Sequence, residues 1–96
     1  NRWRSRTAET IFKDDQNHEV RSAGTATDAR IRVNEKLINW ADLVFVMEKR
    51  HKQLLQERFE ESLTEKNVIV LDIPDHYQYM DEELIDVLET SVRPYL

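Results

Sequence analysis

Two short runs of apolar residues constrain the fold of this chain more than any other feature of its sequence. Leu43–Met47 reads LVFVM and Val68–Leu71 reads VIVL, and neither run alternates with polar residues. A strand that is apolar at every position is typical of a parallel sheet that is covered on both faces. The stretch Lys49–Phe59 between the runs has apolar residues at helical spacing, so the sequence predicts a strand–helix–strand unit.

Further segments extend this alternation of helix and strand. The sequence predicts a helix over Thr7–Asp14, a strand over Glu19–Ser22, and helices that begin after Asn34 and Asp81. The pattern is that of a single α/β domain over residues 1–96, with a doubly wound parallel sheet and helices on both faces. The first helix has no strand leading into it, so we expect the chain to begin partway through an element.

The composition narrows the classes of function. It is 40% hydrophobic and 34% charged, which is typical of globular proteins. The net charge of −5 argues against general binding to nucleic acids or anionic membranes. No apolar run approaches the roughly 20 residues of a membrane helix, and no secretory signal pattern is present, so we expect a cytoplasmic protein.

The chain contains no cysteine, so neither disulfides nor thiolate metal sites are available to stabilise it. Asp72, Asp75 and Asp81 lie close together in the sequence without a supporting set of His or Cys ligands. We interpret them as turn and cap residues, and we expect no metal and no cofactor.

The most unusual stretch of this acidic chain is basic. Arg2, Arg4 and Arg6 alternate immediately before the first predicted helix. Free backbone N–H groups and the helix dipole favour an anion at such a position, and an arginine fork matches two phosphate oxygens. The segment therefore predicts a phosphate site. It also fits a solvated basic tail with Ser5 as an ordinary helix cap, and the local pattern leaves both interpretations open.

Four motifs spread over nearly the whole chain bear on this choice. In chain order they are Asn1-x-x-Arg4-Ser5-x-Thr7-Ala8-Glu9, Ser22-Ala23-Gly24-Thr25, Ala41-Asp42-Leu43-x-x-x-Met47 and Ile73-Pro74-Asp75-x-Tyr77. They resemble the motifs of low-molecular-weight protein tyrosine phosphatases, whose phosphate loop consists of a cysteine, two residues, an asparagine, two residues and Arg-Ser. The stretch between Gly24 and Asn34 is brief, so the resemblance is closest to a short branch of that family.

The resemblance implies a phosphotyrosine-phosphatase I-like fold and a cysteine-dependent phosphate-monoester hydrolase that forms a phosphocysteine intermediate. In that fold the first strand would be central, between Glu19–Ser22 and Leu43–Met47. The cysteine would lie three residues before Asn1. We therefore expect both the strand and the cysteine in residues that precede this chain.

The resemblance also implies a phosphate-binding segment made of Asn1, Arg2, Trp3, Arg4 and Ser5. Arg4 would bind the equatorial oxygens of the phosphate and stabilise the transition state. The Ser5 hydroxyl would donate to the cysteine thiolate and lower the pKa of that thiol.

The remaining roles fall on the loops. Asp75 would be the general acid that protonates the leaving phenolate and then activates water, although Asp72 is close enough to contest this role. Trp3 and Tyr77 would line the substrate entrance, or they are ordinary partly buried aromatic residues. The substrate would be a phosphorylated aromatic group or phosphotyrosine, and the oligomeric state stays open.

Two supporting roles complete the implied site. Ser22 would be a partner of Asn1, whose amide would hold the shape of the phosphate loop. Asp42 would hold Arg4 or the loop in place, or it simply caps the start of a strand.

Departures from the family pattern keep other functions open. Arg6 stands where the family usually has proline, His76 replaces the proline after the acid, and Gln78 replaces a second aromatic residue. A non-catalytic phosphate- or phosphotyrosine-binding remnant is the main alternative. An arsenate reductase of the same fold would need resolving cysteines, and their absence from these residues argues against it.

Overall fold

The two apolar runs pair with each other in the computed structural model, which describes residues 2–26 and 29–96, with Arg2 described by its backbone alone. Strand β1 (Leu43–Val46) and strand β2 (Asn67–Val70) lie parallel, with Val44 opposite Val68. Within these described ranges the sheet has two strands, so the chain is an α/β protein with a small parallel sheet.

Helices precede, separate and follow the two strands along the chain. They are α1 (Arg2–Phe12), α2 (Glu35–Trp40), α3 (Lys49–Arg58), α4 (Glu60–Leu63), α5 (Glu82–Val92) and a closing 3₁₀ turn (Arg93–Tyr95). None of the helices in the described part of the chain has the length and apolar character needed to cross a bilayer.

Side chains of the sheet alternate between two apolar clusters, because successive residues of a strand point to opposite faces. The buried members of the first cluster are Phe12, Met47, Ile73, Tyr77, Leu84, Leu88 and Val92, with Phe45 packed against them. The buried members of the second are Ile38, Val46, Leu55 and Leu63, with Val44 packed against them. Helices α1 and α5 therefore contribute to one cluster and α2, α3 and α4 to the other.

The predicted caps of two helices are confirmed. The side chain of Asn34 accepts a hydrogen bond from the backbone N–H of Leu37 at 2.8 Å. The side chain of Asp81 accepts one from the backbone N–H of Glu83 at 2.9 Å. Each bond satisfies a backbone donor that the first turn of a helix leaves without an intrahelical partner.

The first helix begins earlier than the sequence predicts. The prediction starts it at Thr7, whereas α1 starts at Arg2 and ends at Phe12. Ser5 and Thr7 therefore lie inside the helix and do not cap it. The Thr7 hydroxyl donates to the carbonyl of Trp3 at 2.7 Å, a contact that requires the preceding turn to be helical already.

The predicted strand over Glu19–Ser22 does not form. These residues have no regular secondary structure, and the nearest pairing in the described chain is a single bridge between Gly24 and Arg32. A strand is stable only when a neighbouring strand takes up its backbone N–H and C=O groups. The segment therefore stays irregular, because the described chain places no strand beside it.

Gly24 is required by its surroundings. The sequence predicts a turn at this position that no larger side chain tolerates. The φ angle of Gly24 is not positive, so a left-handed backbone is not the reason. A Cβ atom at position 24 would lie 2.7 Å from the Cβ of Ala29, which is closer than two carbon atoms pack.

We expect Gly24→Ala to lower the free energy of unfolding by about 1–3 kcal/mol, because the added methyl group overpacks the contact with Ala29. Ala29→Gly in the same chain removes the opposing methyl group, so the double variant should recover part of this loss. Urea unfolding of the two single variants and the double variant measures the coupling. Additive losses would show that the contact with Ala29 is not the cause.

Candidate functional site

Arg4 is a completely buried cation, with 0% of its side chain exposed. One terminal nitrogen (Nη1) donates to the backbone carbonyl of Ile73, and the other (Nη2) donates to Oε2 of Glu48 at 2.7 Å. The third nitrogen, Nε, has no hydrogen-bond partner in the described part of the protein. Oδ1 of Asp75 lies 4.0 Å from this Nε. The structure thus brings together two of the predicted catalytic residues, Arg4 and Asp75.

These groups meet at one end of the sheet. Glu48 follows β1, while Ile73 and Asp75 follow β2, and both strands run in the same direction. The first turn of α1 supplies Arg4 at the same end. The carboxyl end of a parallel sheet is where α/β proteins usually bind their ligands, because the loops after neighbouring strands converge there. The position of Arg4 and Asp75 fits that rule.

Glu48 is a site residue that the sequence analysis missed. Hydrogen bonds from Arg4 and from Arg50 hold the pKa of its carboxyl group at about 2, below the ordinary value of 4.5. Glu48 is therefore an anion at neutral pH and neutralises much of the charge of Arg4. Its place, directly after an apolar strand at the carboxyl end of the sheet, is the sequence signal that identifies it.

The 74–80 loop is fastened to α1 by contacts on one face of that helix. The Thr7 hydroxyl accepts a hydrogen bond from the backbone N–H of Met80 at 3.0 Å. One turn further along, the Thr10 hydroxyl and the Tyr79 hydroxyl share a hydrogen bond of 2.8 Å. The loop that carries Asp75 is therefore held near Arg4 by residues of α1.

An exposed aromatic pair lies on the same face of α1. Trp3 and Tyr79 are 37% and 42% exposed, and their ring centroids are 6.2 Å apart. The guanidinium of Arg6 lies 5.7 Å from the centroid of the Tyr79 ring. A cation over an aromatic face is attracted by the ring quadrupole, so Arg6 helps to hold Tyr79 in place.

Tyr77, which the sequence predicts to line the substrate entrance, lies in the core. It is 8% exposed, and its hydroxyl donates to Glu83 at 3.4 Å. Burial and the nearby carboxylate of Glu83 raise the pKa of the Tyr77 phenol. Tyr79, two residues later, occupies the exposed position beside Trp3 instead.

The other predicted site residues are placed as follows. Asn1 lies outside the described residues, and Arg2 is described by its backbone alone. Ser5 is half-buried near the start of α1. Ser22 donates two hydrogen bonds to the Glu9 carboxylate, one from its backbone N–H at 3.2 Å and one from its hydroxyl at 3.1 Å. The described partner of Ser22 is therefore Glu9, another residue of the first motif.

The two remaining carboxylates lie apart from the contacts of Arg4. Asp42 is exposed and precedes β1, at the opposite end of that strand from Glu48. Asp72 is exposed and has a left-handed backbone, with a φ of 54°. Of the two candidates for the acid, Asp75 is therefore the one whose carboxylate approaches Arg4.

A groove of about 470 Å³ lies along β1. Its lining includes every residue of β1 and none of β2, so it follows the edge of β1 that faces away from β2. Most of the lining is apolar, including Ala8 of α1 and Leu37 of α2. His51 also lines the groove, and burial lowers the pKa of its imidazole. We call this feature the edge groove.

Comparison of the chain with protein-family models, with curated proteins and with solved structures finds no match in any of the three. The function of the site is therefore inferred from its own residues and contacts.

We expect the contact between Glu48 and Arg4 to make the protein sensitive to acid. Unfolding returns the pKa of Glu48 from about 2 to 4.5, so the unfolded chain binds the extra proton and stability is lost as the pH falls through this window. Glu48→Gln should be less stable than the wild type above pH 4.5, and the difference should shrink towards pH 2. Urea unfolding as a function of pH measures it.

Glu57→Gln, at an exposed position of α3, is the matched control and should keep the acid dependence of the wild type. A Glu48→Gln variant whose stability falls with acid as steeply as that of the wild type would contradict the assignment.

Proposed function

We propose that this chain is the body of a cysteine-dependent phosphate-monoester hydrolase, similar to short low-molecular-weight protein tyrosine phosphatases. The observation that carries the proposal is the approach of Asp75 to the Nε of Arg4, at 4.0 Å, at the carboxyl end of a parallel sheet. An arginine next to a carboxyl group is the pair that phosphoryl transfer needs for charge stabilisation and for proton transfer.

In the proposed reaction, a cysteine thiolate attacks phosphorus while the bond to the aryl oxygen breaks. Asp75 gives its proton to the departing oxygen, so that a neutral phenol leaves. Asp75 then takes a proton from water, which attacks the phosphocysteine and releases phosphate and the thiolate. The nucleophile is not among these 96 residues, and the proposal assigns it to a residue that precedes Asn1.

Arg4 would stabilise the charge on the transferring phosphoryl group. In the structure its Nη1 and Nη2 are engaged by Ile73 and Glu48, and the buried Nε is the nitrogen without a hydrogen bond in the described chain. Phosphate binding would therefore require the first turn of α1 to open into a loop around the anion. Arg4 would then face the double negative charge of a phosphate dianion in place of the single negative charge of Glu48.

The proposal includes a doubly wound, phosphotyrosine-phosphatase I-like sheet with a further central strand before α1. The edge groove supports this part of the proposal, because it follows the edge of β1 that β2 leaves unpaired. An added strand there would satisfy the backbone groups of that edge and bury the apolar lining. It would also give residues 19–22 the neighbour that they lack in the described sheet.

The alternative function is a protein that binds phosphate or phosphotyrosine without cleaving it. The absence of cysteine from these residues favours it, because Arg4 alone has no nucleophile to work with. Turnover of p-nitrophenyl phosphate by the natural protein, with whatever residues precede Asn1, separates the two. A hydrolase releases p-nitrophenolate, whereas a binding protein shows saturable affinity for phosphate and no release.

We expect Asp75→Asn to lower kcat for aryl phosphates by about 10²-fold or more, because the variant has no acidic proton to donate. Asp72→Asn is the matched control: asparagine tolerates the left-handed backbone of Asp72, and we expect kcat to stay within about twofold. Steady-state kinetics of both variants measures the difference. A larger loss for Asp72→Asn would transfer the acid role to Asp72.

We also expect phosphate to bind to these 96 residues at Arg4 and to change the emission of Trp3, which is adjacent in α1. Trp40→Phe leaves Trp3 as the one remaining tryptophan, so its fluorescence reports the titration. In that background, Arg4→Lys should bind roughly tenfold more weakly, because lysine lacks the planar fork.

Arg30→Gln, at an exposed position, is the control for loss of positive charge and should leave the affinity unchanged. Sodium chloride at equal ionic strength controls for screening. Equal affinities of the wild type and Arg4→Lys would place the phosphate elsewhere.

A further inference from the structure

Thr7 has an unusual position for a polar residue, because it is completely buried in the middle of α1. Its hydroxyl makes two hydrogen bonds: it donates to the carbonyl of Trp3 at 2.7 Å and accepts from the N–H of Met80 at 3.0 Å. The first bond orients the hydroxyl, so that its lone pairs are free to accept the second. A single side-chain atom thus connects α1 to a residue 73 positions later in the chain.

The loop that Thr7 contacts has little structure of its own. Residues 71–78 form no helix or strand, and Met80 has a left-handed φ of 61°. A non-glycine residue adopts this conformation only when its surroundings hold it there. The hydrogen bond from the Met80 N–H to the Thr7 hydroxyl supplies such a constraint, because in another conformation of Met80 this N–H would lose its bond to Thr7.

Asp75 is not held by a direct hydrogen bond to Arg4. Its Oδ1 lies 4.0 Å from Nε, and its side chain is 46% exposed. The position of Asp75 therefore depends on the contacts that hold the loop on either side of it, which include the buried ring of Tyr77 and two hydrogen bonds to α1. Arg4 holds the carbonyl of Ile73 before it, and Thr7 holds the N–H of Met80 after it. Both anchors are buried side chains of α1, one turn apart.

We infer that Thr7 is a positioning residue for Asp75, which it holds beside Arg4 through its hydrogen bond to Met80. The inference rests on the proposed function, in which Asp75 is the general acid. The contact of Thr10 with Tyr79 lies at the surface, where water competes for the same groups, so it contributes less to the position of the loop.

Thr7→Val and Thr7→Ser test this role. Valine keeps the shape of threonine without its hydroxyl, and serine keeps the hydroxyl. In the natural protein carrying Thr7→Val we expect faster hydrogen exchange at the Met80 amide and a changed carboxyl chemical shift of Asp75, with both restored in Thr7→Ser. Thr90→Val, at an exposed position of α5, is the matched control and should change neither. If Thr7→Val does not fold, Thr7→Ala removes the same hydroxyl from a helix position that favours alanine.

Turnover by the natural protein gives a second measurement. Phenyl phosphate has a poor leaving group that needs the proton of Asp75, whereas p-nitrophenyl phosphate has a good one. In Thr7→Val we expect kcat to fall roughly tenfold for phenyl phosphate and much less for p-nitrophenyl phosphate, because general-acid catalysis contributes about 10²–10⁴-fold. A purely structural role of Thr7 would lower both rates alike.

The failure of this inference and the failure of the proposed function have different signatures. If the wild type releases no phenolate, the hydrolase proposal fails, and Asp75 has no proton transfer for which to be positioned. If the wild type turns over but Thr7→Val leaves the Met80 exchange, the Asp75 shift and the ratio of the two rates unchanged, the role of Thr7 is overturned while the hydrolase stands.

Discussion

The buried guanidinium of Arg4 ties the first turn of α1 to the carboxyl end of the sheet. A cation that is removed from water needs charged and polar partners around it, since its loss of hydration is otherwise uncompensated. The partners of Arg4 come from two separate connections: Glu48 follows β1, and the Ile73 carbonyl and Asp75 follow β2. The placement of α1 and the shape of both connections therefore depend on this one side chain.

The same contacts oppose the ligand that the arginine is proposed to bind. Glu48 already supplies negative charge to Arg4, and α1 is helical through the segment that would have to wrap a phosphate. A ligand shifts such an equilibrium only by its differential affinity for the open form. The proposed site is thus one in which an internal carboxylate and a bound anion compete for the same guanidinium, with Asp75 beside either of them.

Local patterns predicted much of the fold because they report local physics. Continuous apolar runs identified both strands, and Asn34 and Asp81 identified the starts of α2 and α5. The predictions failed where a partner elsewhere in the chain decides. The segment over Glu19–Ser22 was predicted as a strand, but no strand lies beside it in the described sheet. Tyr79 is exposed where Tyr77 was predicted to be, because the loop is irregular and no periodicity indicates which of the two side chains points inwards.

The sequence by itself determined both strands and the caps of α2 and α5, because hydrogen bonding and apolar periodicity act over a few residues. The candidacy of Arg4 and Asp75 rested on the resemblance of four motifs to a known family. Only the tertiary structure decided which carboxylate meets Arg4. Asp42 and Glu48 flank the same strand, and the sequence alone allows either of them to pair with Arg4. The parallel direction of β1 and β2 places Glu48 at the end where Ile73 and Asp75 converge, and leaves Asp42 exposed at the other. The partners of a buried ion pair depend on the relative direction of strands that are distant in sequence, and no local pattern carries that information.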